Sequence, residues 1–177
     1  TAIYKSGMAT NYYIDTPKKD DILMLSQGSV IFIYANGHDN KNINAVVKYL
    51  QDKCDWAGAI FTADGRDGTN KLSEVNLNSP NAPDIVVSMK WSDKTYEGFL
   101  KGAVIADGSD PGSGMHGSLS RFDMHNTLIA VGPDFKKGYV NKFPSSSADL
   151  APTIVEILGL KTTRPMDGRP LAEAFAD

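Results

Sequence analysis

The chain has 177 residues, of which 41% are hydrophobic and 22% charged, a balance typical of one compact domain and unlike that of disordered or coiled-coil chains. Its net charge is −3 and its Lys and Arg residues are scattered, which argues against a nucleic acid polymer as partner but is compatible with small phosphorylated substrates. The single cysteine, Cys54, excludes an internal disulfide and a thiolate metal cluster, and no apolar run reaches the roughly 20 residues that cross a bilayer.

The first half of the chain has a strand, helix, strand pattern. Residues 29–34 form a nearly continuous apolar run rich in β-branched and aromatic side chains, which predicts a strand buried on both faces. An Asn-Gly pair at 36–37 ends this run, and Asp39 or Asn40 can cap a helix that extends to about Asp52. The helix carries one apolar stripe at positions i, i+3, i+4 and i+7, formed by Ile43, Val46, Val47 and Leu50.

Further elements follow this helix. Residues 57–62 predict the next strand, so that strand, helix and strand together have the size of a βαβ unit. Residues 64–68 are predicted to form a turn because Asp and Gly favour tight turns, and residues 84–89 predict another strand. Residues 92–125 are rich in glycine and predict a loop-rich excursion, a kind of segment that is often functional in a compact α/β chain.

The final third predicts a return to regular structure. Residues 126–131 have the pattern of a buried strand. Ser147 or Asp149 then opens a predicted helix, which Gly159 ends. The apolar residues that are expected to share one face of this helix are Leu150, Ile154, Ile157 and Leu158. Without a repeat or a linker, the chain as a whole predicts one α/β unit.

One histidine is a candidate metal ligand. In the stretch GSGMHGSLSRFDMHN, His116 is flanked by glycines that permit close backbone approach, and it precedes a predicted strand, where ligands gather in α/β sheets. A neutral imidazole there could bind zinc at roughly 2.0–2.1 Å. The alternative is a histidine that only makes hydrogen bonds within a glycine-rich loop, since one imidazole is not a metal site. His125 could face the same pocket or be a polar residue at the strand entrance.

Other polar groups have simpler explanations. His38-Asp39 fits turn and cap chemistry, and Asp64 with Asp67 lacks the ligand pattern of an EF-hand, so that turn formation explains this pair as well. No nucleophile elbow, Walker loop or dinucleotide fingerprint is present. Ser118 and Ser120 lie near His116 in the sequence without an identifiable orienting group, so no residue of this chain is assigned a catalytic role.

Three motifs carry a resemblance to a known family. GMHGSLSRFDMHNTLIAVGPDFKKG, SADLAPTIVEILGL and MDGRPLAEAF follow one another within residues 112–175. In this order they resemble the C-terminal third of the alkaline phosphatase superfamily, especially its type I phosphodiesterase and nucleotide pyrophosphatase branch. The earlier stretch from AVVKYLQDKCDWAGAIFT to APDIVVSMKWS is similar to the part that precedes this end in bacterial and fungal relatives.

The resemblance implies a fold, a cofactor and a location. The family fold is a large α/β sandwich that binds two zinc-type ions at its strand ends, and the ligand of the Gly-x-His-Gly motif falls on His116. Residues 1–177 are then the C-terminal portion of a single domain, a partial sandwich with a mixed sheet and flanking helices. Residues 166–169 would be a structural segment that packs back onto the sheet. A periplasmic or secreted location is favoured.

The departures from the family pattern limit what this chain can do. The family's Thr or Ser nucleophile and its paired aspartate and histidine ligands have no counterpart here, and neither His38-Asp39 nor Asp64 fits their pattern. Because two-metal hydrolysis needs several ligands and His116 supplies one bond, the chain alone is expected to be inactive and to bind no zinc tightly. In the complete enzyme we expect two zinc ions, a small phosphate-ester substrate and an N-terminal portion of the same protein as the partner of this chain.

Two alternatives stay open. The chain could be a non-catalytic fragment or a degenerate homologue that acts as a binding or structural module. It could also come from a sulfatase-like or phosphomutase-like relative, which only the upstream nucleophile would distinguish.

Overall fold

A computed structural model describes residues 10–11, 18, 20–96, 100–106 and 116–176. They belong to two compact units, a first unit that ends at Asn126 and a second unit that begins at Thr127. None of the helices in these ranges has the length and apolar character that a membrane span requires.

The first unit contains a mixed sheet of six strands in the order β1-β2-β3-β6-β4-β5 and a separate hairpin, β7-β8. The outer pairs β1-β2 and β4-β5 are parallel, and the inner pairs are antiparallel. The predicted α/β class with a mixed sheet and helices is therefore confirmed. The elements are β1 (Thr10–Asn11), β2 (Ile22–Ser26), β3 (Val30–Ala35), α1 (Asn40–Lys53), β4 (Ala57–Thr62), β5 (Asn70–Lys71), β6 (Ile85–Met89), β7 (Trp91–Tyr96), β8 (Leu100–Val104) and α2 (Arg121–Met124), with 3-10 turns at Arg66–Gly68 and Leu72–Val75.

The predicted strand, helix, strand unit forms, but its two strands are not neighbours. Both β3 and β4 are antiparallel to β6, which lies between them, so β3 and β4 run parallel to each other and α1 connects them. This is a split βαβ arrangement. The length of the segment predicted that a helix connects β3 to β4. Nothing in the sequence near these strands predicted that β6, which follows later in the chain, lies between them.

Helix α1 forms as predicted. The Asp39 side chain accepts a hydrogen bond from the Asn42 backbone N at 3.0 Å, which satisfies one of the free N–H groups at the helix start. The buried residues of α1 are the four of the predicted apolar stripe, and they pack in one cluster with Ile31, Ile33 and Val87 of the sheet. The cap and the stripe together explain why the helix lies at this position on the sheet.

The burial of β3 corrects one prediction. Its residues alternate between buried and half-buried, so the strand is not buried on both faces. Ile31 and Ile33 lie under α1, whereas Val30 and Phe32 border a second, smaller cluster on the other side of the sheet. The apolar side chains on both faces of β3 led to the prediction that both faces are buried. The smaller cluster covers Val30 and Phe32 only in part, so these two residues are half-buried. β6 is buried along its whole length.

The hairpin corrects part of the predicted loop-rich excursion. Residues 92–125 were expected to be irregular, but β7 and β8 pair antiparallel, with Trp91 opposite Val104. β7 is mostly polar and β8 contains Gly102, so the hydrophobic pattern did not reveal a pairing that depends on backbone hydrogen bonds. Residues 107–115 of the excursion lie outside the described residues.

The second unit contains the predicted helix, α3 (Leu150–Ile157), which follows a 3-10 turn at Ser147–Asp149. Ser146 caps this 3-10 turn and forms a capping box with Asp149, and Asp149, one of the two predicted starts, is the N-cap residue of α3. Gly159 ends the helix with φ +60°. Leu150, Ile154 and Leu158 of the predicted apolar face are exposed, whereas the buried residues of this helix are Pro152 and Thr153.

The strand predicted for residues 126–131 is absent. These residues have no regular secondary structure, and Ile129 is 79% and Val131 90% exposed. The apolar pattern indicates only that these side chains suit a β-sheet. A strand also needs a neighbouring strand whose backbone N–H and C=O groups pair with its own. Within the described ranges no strand pairs with this segment.

The C-terminal segment of the second unit packs against the start of α3. The Asp149 carboxylate accepts from the backbone N of Ser146 at 2.8 Å and of Arg169 at 2.9 Å. A Cβ on Gly168 would lie 2.2 Å from the Ala148 carbonyl oxygen, so only glycine permits this approach. Arg169 then pairs with Glu173 at 2.8 Å. The predicted structural role of residues 166–169 agrees with these contacts, which are made with the cap of α3; packing onto the sheet stays a prediction.

Matched valine substitutions test the assignment of core and surface. We expect Val87→Ala, at a fully buried position of β6, to lower the free energy of unfolding by about 2 kcal/mol, because buried methyl groups are lost and a cavity remains. Val131→Ala removes the same atoms from an exposed side chain, so we expect a change below about 0.5 kcal/mol. Urea unfolding followed by circular dichroism measures both, and equal losses would contradict the burial described above.

Acid titration tests the ion pair of the second unit. Hydrogen bonds from Arg169, together with backbone and Asn141 N–H groups, lower the pKa of Glu173 from its ordinary 4.5 to about 2. Since the folded pKa lies below the unfolded one, the stabilisation is fully present above pH 4.5 and is lost as the pH falls towards 2. Glu173→Gln should therefore lose less stability than the wild type over this interval. Urea midpoints along a pH series measure the difference, with Glu156→Gln on α3 as a control that should follow the wild type.

Candidate functional site

The segment that begins at His116 is anchored where β3 begins and β6 ends. The Ser29 backbone N donates to the His116 carbonyl oxygen at 3.3 Å. Three residues further, the Leu119 backbone N donates to Ser88 Oγ at 3.2 Å. Ser29 and Ser88 belong to neighbouring parts of the sheet, since Ser88 pairs with Val30. The two hydrogen bonds therefore attach both ends of the tetrapeptide 116–119 to the sheet.

Gly117 lies between these anchors and has no room for a side chain. Its φ is +92°, and a Cβ there would lie 2.8 Å from Val30 Cγ1 and 3.0 Å from the Gln27 carbonyl oxygen. The close backbone approach predicted for the glycines flanking His116 is confirmed for Gly117. The neighbour that it approaches is the sheet itself.

Two serines near His116 build the turn into α2. Ser118 Oγ donates to Asp123 Oδ2 and accepts from the Ser120 backbone N at 2.9 Å, and Ser120 Oγ accepts from the Phe122 backbone N at 3.2 Å. Both serines are buried. Asp123 is the orienting group that the sequence did not reveal for Ser118. Because both hydroxyls are buried and engaged in the fold, neither is placed to attack a substrate.

Aromatic contacts join the same segment to the hairpin. The Phe122 ring occupies the place where a side chain on Gly102 would stand, since a Cβ there would lie 2.3 Å from the ring. Trp91 meets this ring edge to face at 6.1 Å, and the Arg121 guanidinium lies over it at 5.0 Å while pairing with Asp93 at 2.8 Å. The hairpin and the polar anchors together determine the backbone path from residue 116 to α2.

The structure exposes the histidines of this segment. His116 lies on the surface, and His125 follows α2 and is exposed as well. Within the described ranges, which omit 107–115, no three His, Cys, Asp or Glu side chains are grouped closely enough to hold a metal ion. The role of His116 as a zinc ligand therefore stays a prediction.

The opposite end of β3 carries a polar cluster of its own. Asp39 caps α1, as predicted, but His38 does more than form a turn, since its Nδ1 lies 2.8 Å from Asp84 Oδ1. Asp64 pairs with Arg66 at 2.8 Å, and this hydrogen bond lowers the pKa of the Asp64 carboxyl. Asp67 lies in the 3-10 turn with φ +49°. The turn predicted for residues 64–68 is thus confirmed, whereas the pairing of His38 with Asp84 was missed.

Two glycine substitutions separate backbone strain from steric conflict. Gly37 and Gly117 both have positive φ, but a Cβ on Gly37 would meet no atom within 4 Å. We expect Gly37→Ala to cost about 1 kcal/mol from backbone strain alone, and Gly117→Ala to cost about 2–4 kcal/mol because β3 must also shift. Gly117→Ala should in addition speed hydrogen exchange of the Ser29 amide, which Gly37→Ala should leave unchanged. Equal effects of the two variants would show that Gly117 is not tightly packed.

Comparisons with known proteins give one partial similarity. No protein-family model and no solved structure matches the chain. A stretch of 49 residues is 41% identical to a protein named Sulfatase ppz1 from Metarhizium majus (strain ARSEF 297). The match covers 28% of this chain and 12% of that protein, so the chain spans a small part of the relative. This similarity fits the alkaline phosphatase superfamily in general and hydrolase activity in a broad sense, and it does not separate the phosphodiesterase branch from the sulfatases.

Proposed function

We propose that these 177 residues are part of a metal-dependent phosphodiesterase or phosphohydrolase of the alkaline phosphatase superfamily. The observation that carries the proposal is the order of the three motifs within residues 112–175. The partial similarity to a protein named a sulfatase supports the superfamily. In this proposal the chain contributes His116 as one metal ligand, and the Thr or Ser nucleophile belongs to a part of the protein outside these residues.

The backbone around His116 suits a ligand. Ser29 and Ser88 hold the two ends of the tetrapeptide that contains it, and Gly117 packs against Val30. The imidazole is exposed while its backbone is attached to the buried part of the sheet. A ligand on a rigid support loses little conformational freedom when it binds, which favours its use in a metal centre.

A two-zinc centre does not fit the described residues by themselves. Such a centre holds its ions about 3.5–4 Å apart with several ligands, and no group of three candidate ligands occurs within the described ranges. The proposal therefore assigns the two zinc ions and most of their ligands to the complete protein. By itself this chain is expected to bind no zinc tightly and to hydrolyse nothing.

The second unit has many exposed apolar side chains, which supports the proposal that a further part of the same protein is its partner. Among its described residues the one large hydrophobic side chain that is buried is Leu171. A unit with so small a core gains little from burial of its own apolar surface, so a covering layer would stabilise it. The exposed apolar residues include Leu128, Ile129, Val131, Val140, Phe143, Leu150, Ile154, Leu158 and Leu160.

The proposed substrate is a small phosphate ester. A net charge of −3 with scattered cations is compatible with a small anion held by metal ions rather than with a polyanion. A sulfate ester is the second candidate, because the partial match is to a protein named a sulfatase. A periplasmic or secreted location is part of the same proposal.

Substitution of His116 tests the proposal. In the longer protein, His116→Ala should lower zinc content and reduce hydrolysis of bis(p-nitrophenyl) phosphate at least about 100-fold, because an ion that loses a ligand is held weakly. His125→Ala is the matched control and should retain both. Metal analysis and initial rates measure the two effects, with p-nitrophenyl sulfate as the substrate that distinguishes a sulfatase. Full metal content and full activity in His116→Ala would disprove the assigned role.

The 177-residue chain provides a separate test. With zinc added, it should hydrolyse neither substrate. Hydrolysis by the chain alone would show that its own residues form a complete site. It would contradict the proposal that the nucleophile and most of the metal ligands lie outside these 177 residues.

A further inference from the structure

A second histidine with chemically defined surroundings lies at the opposite end of β3 from the His116 segment. His38 Nδ1 is 2.8 Å from Asp84 Oδ1. The imidazole side chain is 70% exposed, whereas the carboxylate side chain of Asp84 is 8% exposed. An accessible base is thus bonded to an almost fully buried acid.

Asp84 is held firmly by the sheet. Its second oxygen, Oδ2, accepts from the Ala35 backbone N at 2.8 Å. Asp84 immediately precedes β6, and β6 pairs with β3 through Ile33 and Ile85. The carboxylate therefore has little freedom to turn away from the imidazole.

This geometry selects one tautomer of the neutral imidazole. A carboxylate can only accept hydrogen bonds, so Nδ1 must carry the proton. Nε2 is then left with a lone pair on a ring that is open to solvent. The same orientation of an imidazole by a buried carboxylate makes the distal nitrogen of histidine a base or nucleophile in many enzymes.

The backbone at His38 is in the left-handed region. His38 has φ +54° and follows Gly37, which has φ +77°. A positive φ is uncommon for residues other than glycine, but histidine, like asparagine and aspartate, adopts it more often than most residues do, so the turn by itself tolerates histidine. The contact with Asp84, rather than the turn, therefore distinguishes this side chain.

We propose that His38 is an acyl-accepting nucleophile for small activated acyl donors such as aryl esters and thioesters, with Asp84 as its positioning residue. Nε2 attacks the carbonyl carbon, the bond to the aryloxide or thiolate breaks, and the leaving group departs with the electron pair. The N-acylimidazolium that forms loses its Nδ1 proton to water, which leaves a neutral N-acylimidazole, while Asp84 stays a carboxylate. Because the ring stands open to solvent, the site suits small donors rather than substrates that need a cleft. The reaction needs no metal and does not depend on His116.

Asp84→Asn tests the proposal with almost no change of shape. The asparagine carbonyl oxygen can still accept from Ala35, but its amide now donates to His38 Nδ1. The proton of the neutral imidazole then moves to Nε2, and the nucleophilic lone pair is lost. A role limited to turn stability would be largely retained by this variant.

The measurement is acylation of the 177-residue chain by p-nitrophenyl acetate in EDTA near neutral pH, with each histidine peptide quantified by mass spectrometry. We expect His38 to react faster than His116 and His125 in the wild type, and at least about tenfold slower in Asp84→Asn, with the other two histidines unchanged. Long-range ¹H–¹⁵N spectra should show the Nδ1–H tautomer at His38 in the wild type and the Nε2–H tautomer in the variant. Urea unfolding verifies that the variant is folded.

Several results would overturn the proposal. These are an Nε2–H tautomer at His38 in the wild type, acylation of His38 no faster than that of His125, or an unchanged rate in a folded Asp84→Asn variant. Because EDTA removes metal ions and the substrate contains no phosphorus, each of these results leaves the proposed phosphodiesterase function untouched.

Discussion

The first unit depends on the position of β6 between β3 and β4. This strand provides the hydrogen bonds that join the two halves of the sheet, and all five of its residues are buried. Val87 packs under α1, whereas Val86 belongs to the smaller cluster on the other face, so one strand contributes to both cores. Polar residues at or next to the two ends of β6 also form hydrogen bonds with segments outside the sheet. Asp84 holds the His38 turn, and Ser88 holds the segment that carries His116.

Local patterns in the sequence predicted α1 and three strands of the sheet, but they missed β2 and the hairpin β7-β8, predicted a strand at 126–131 that does not form, and did not indicate the order of the sheet. The cap and apolar stripe of α1 and the strand at 57–62 depend on neighbours within a few residues, and both are as expected. The place of β6 in the sheet depends on pairing between segments far apart in the chain, which hydrophobic periodicity does not encode. The segment 126–131 shows the same limit, because its side chains suit a strand while its backbone has no partner among the described strands.

In the candidate site, too, the sequence did not predict contacts between residues that are far apart in the chain. The flanking glycines correctly predicted a close backbone approach at Gly117, but the sequence did not indicate that the residue approached is Val30. Asp123 could have been found as a partner for Ser118, since it is five residues away on the next turn. The pairing of His38 with Asp84 spans 46 residues and could not be inferred from either neighbourhood.

The central place of a late strand also shapes how the chain folds during synthesis. The hairpin of β2 and β3 and the helix α1 consist of local contacts and can form as they leave the ribosome. β4 then emerges without its neighbour, and the facing edges of β3 and β4 stay unpaired until residues 85–89 arrive. Unpaired strand edges are the groups through which nascent chains associate wrongly. During the interval between the emergence of β4 and that of β6, these two edges are therefore open to pairing with another chain.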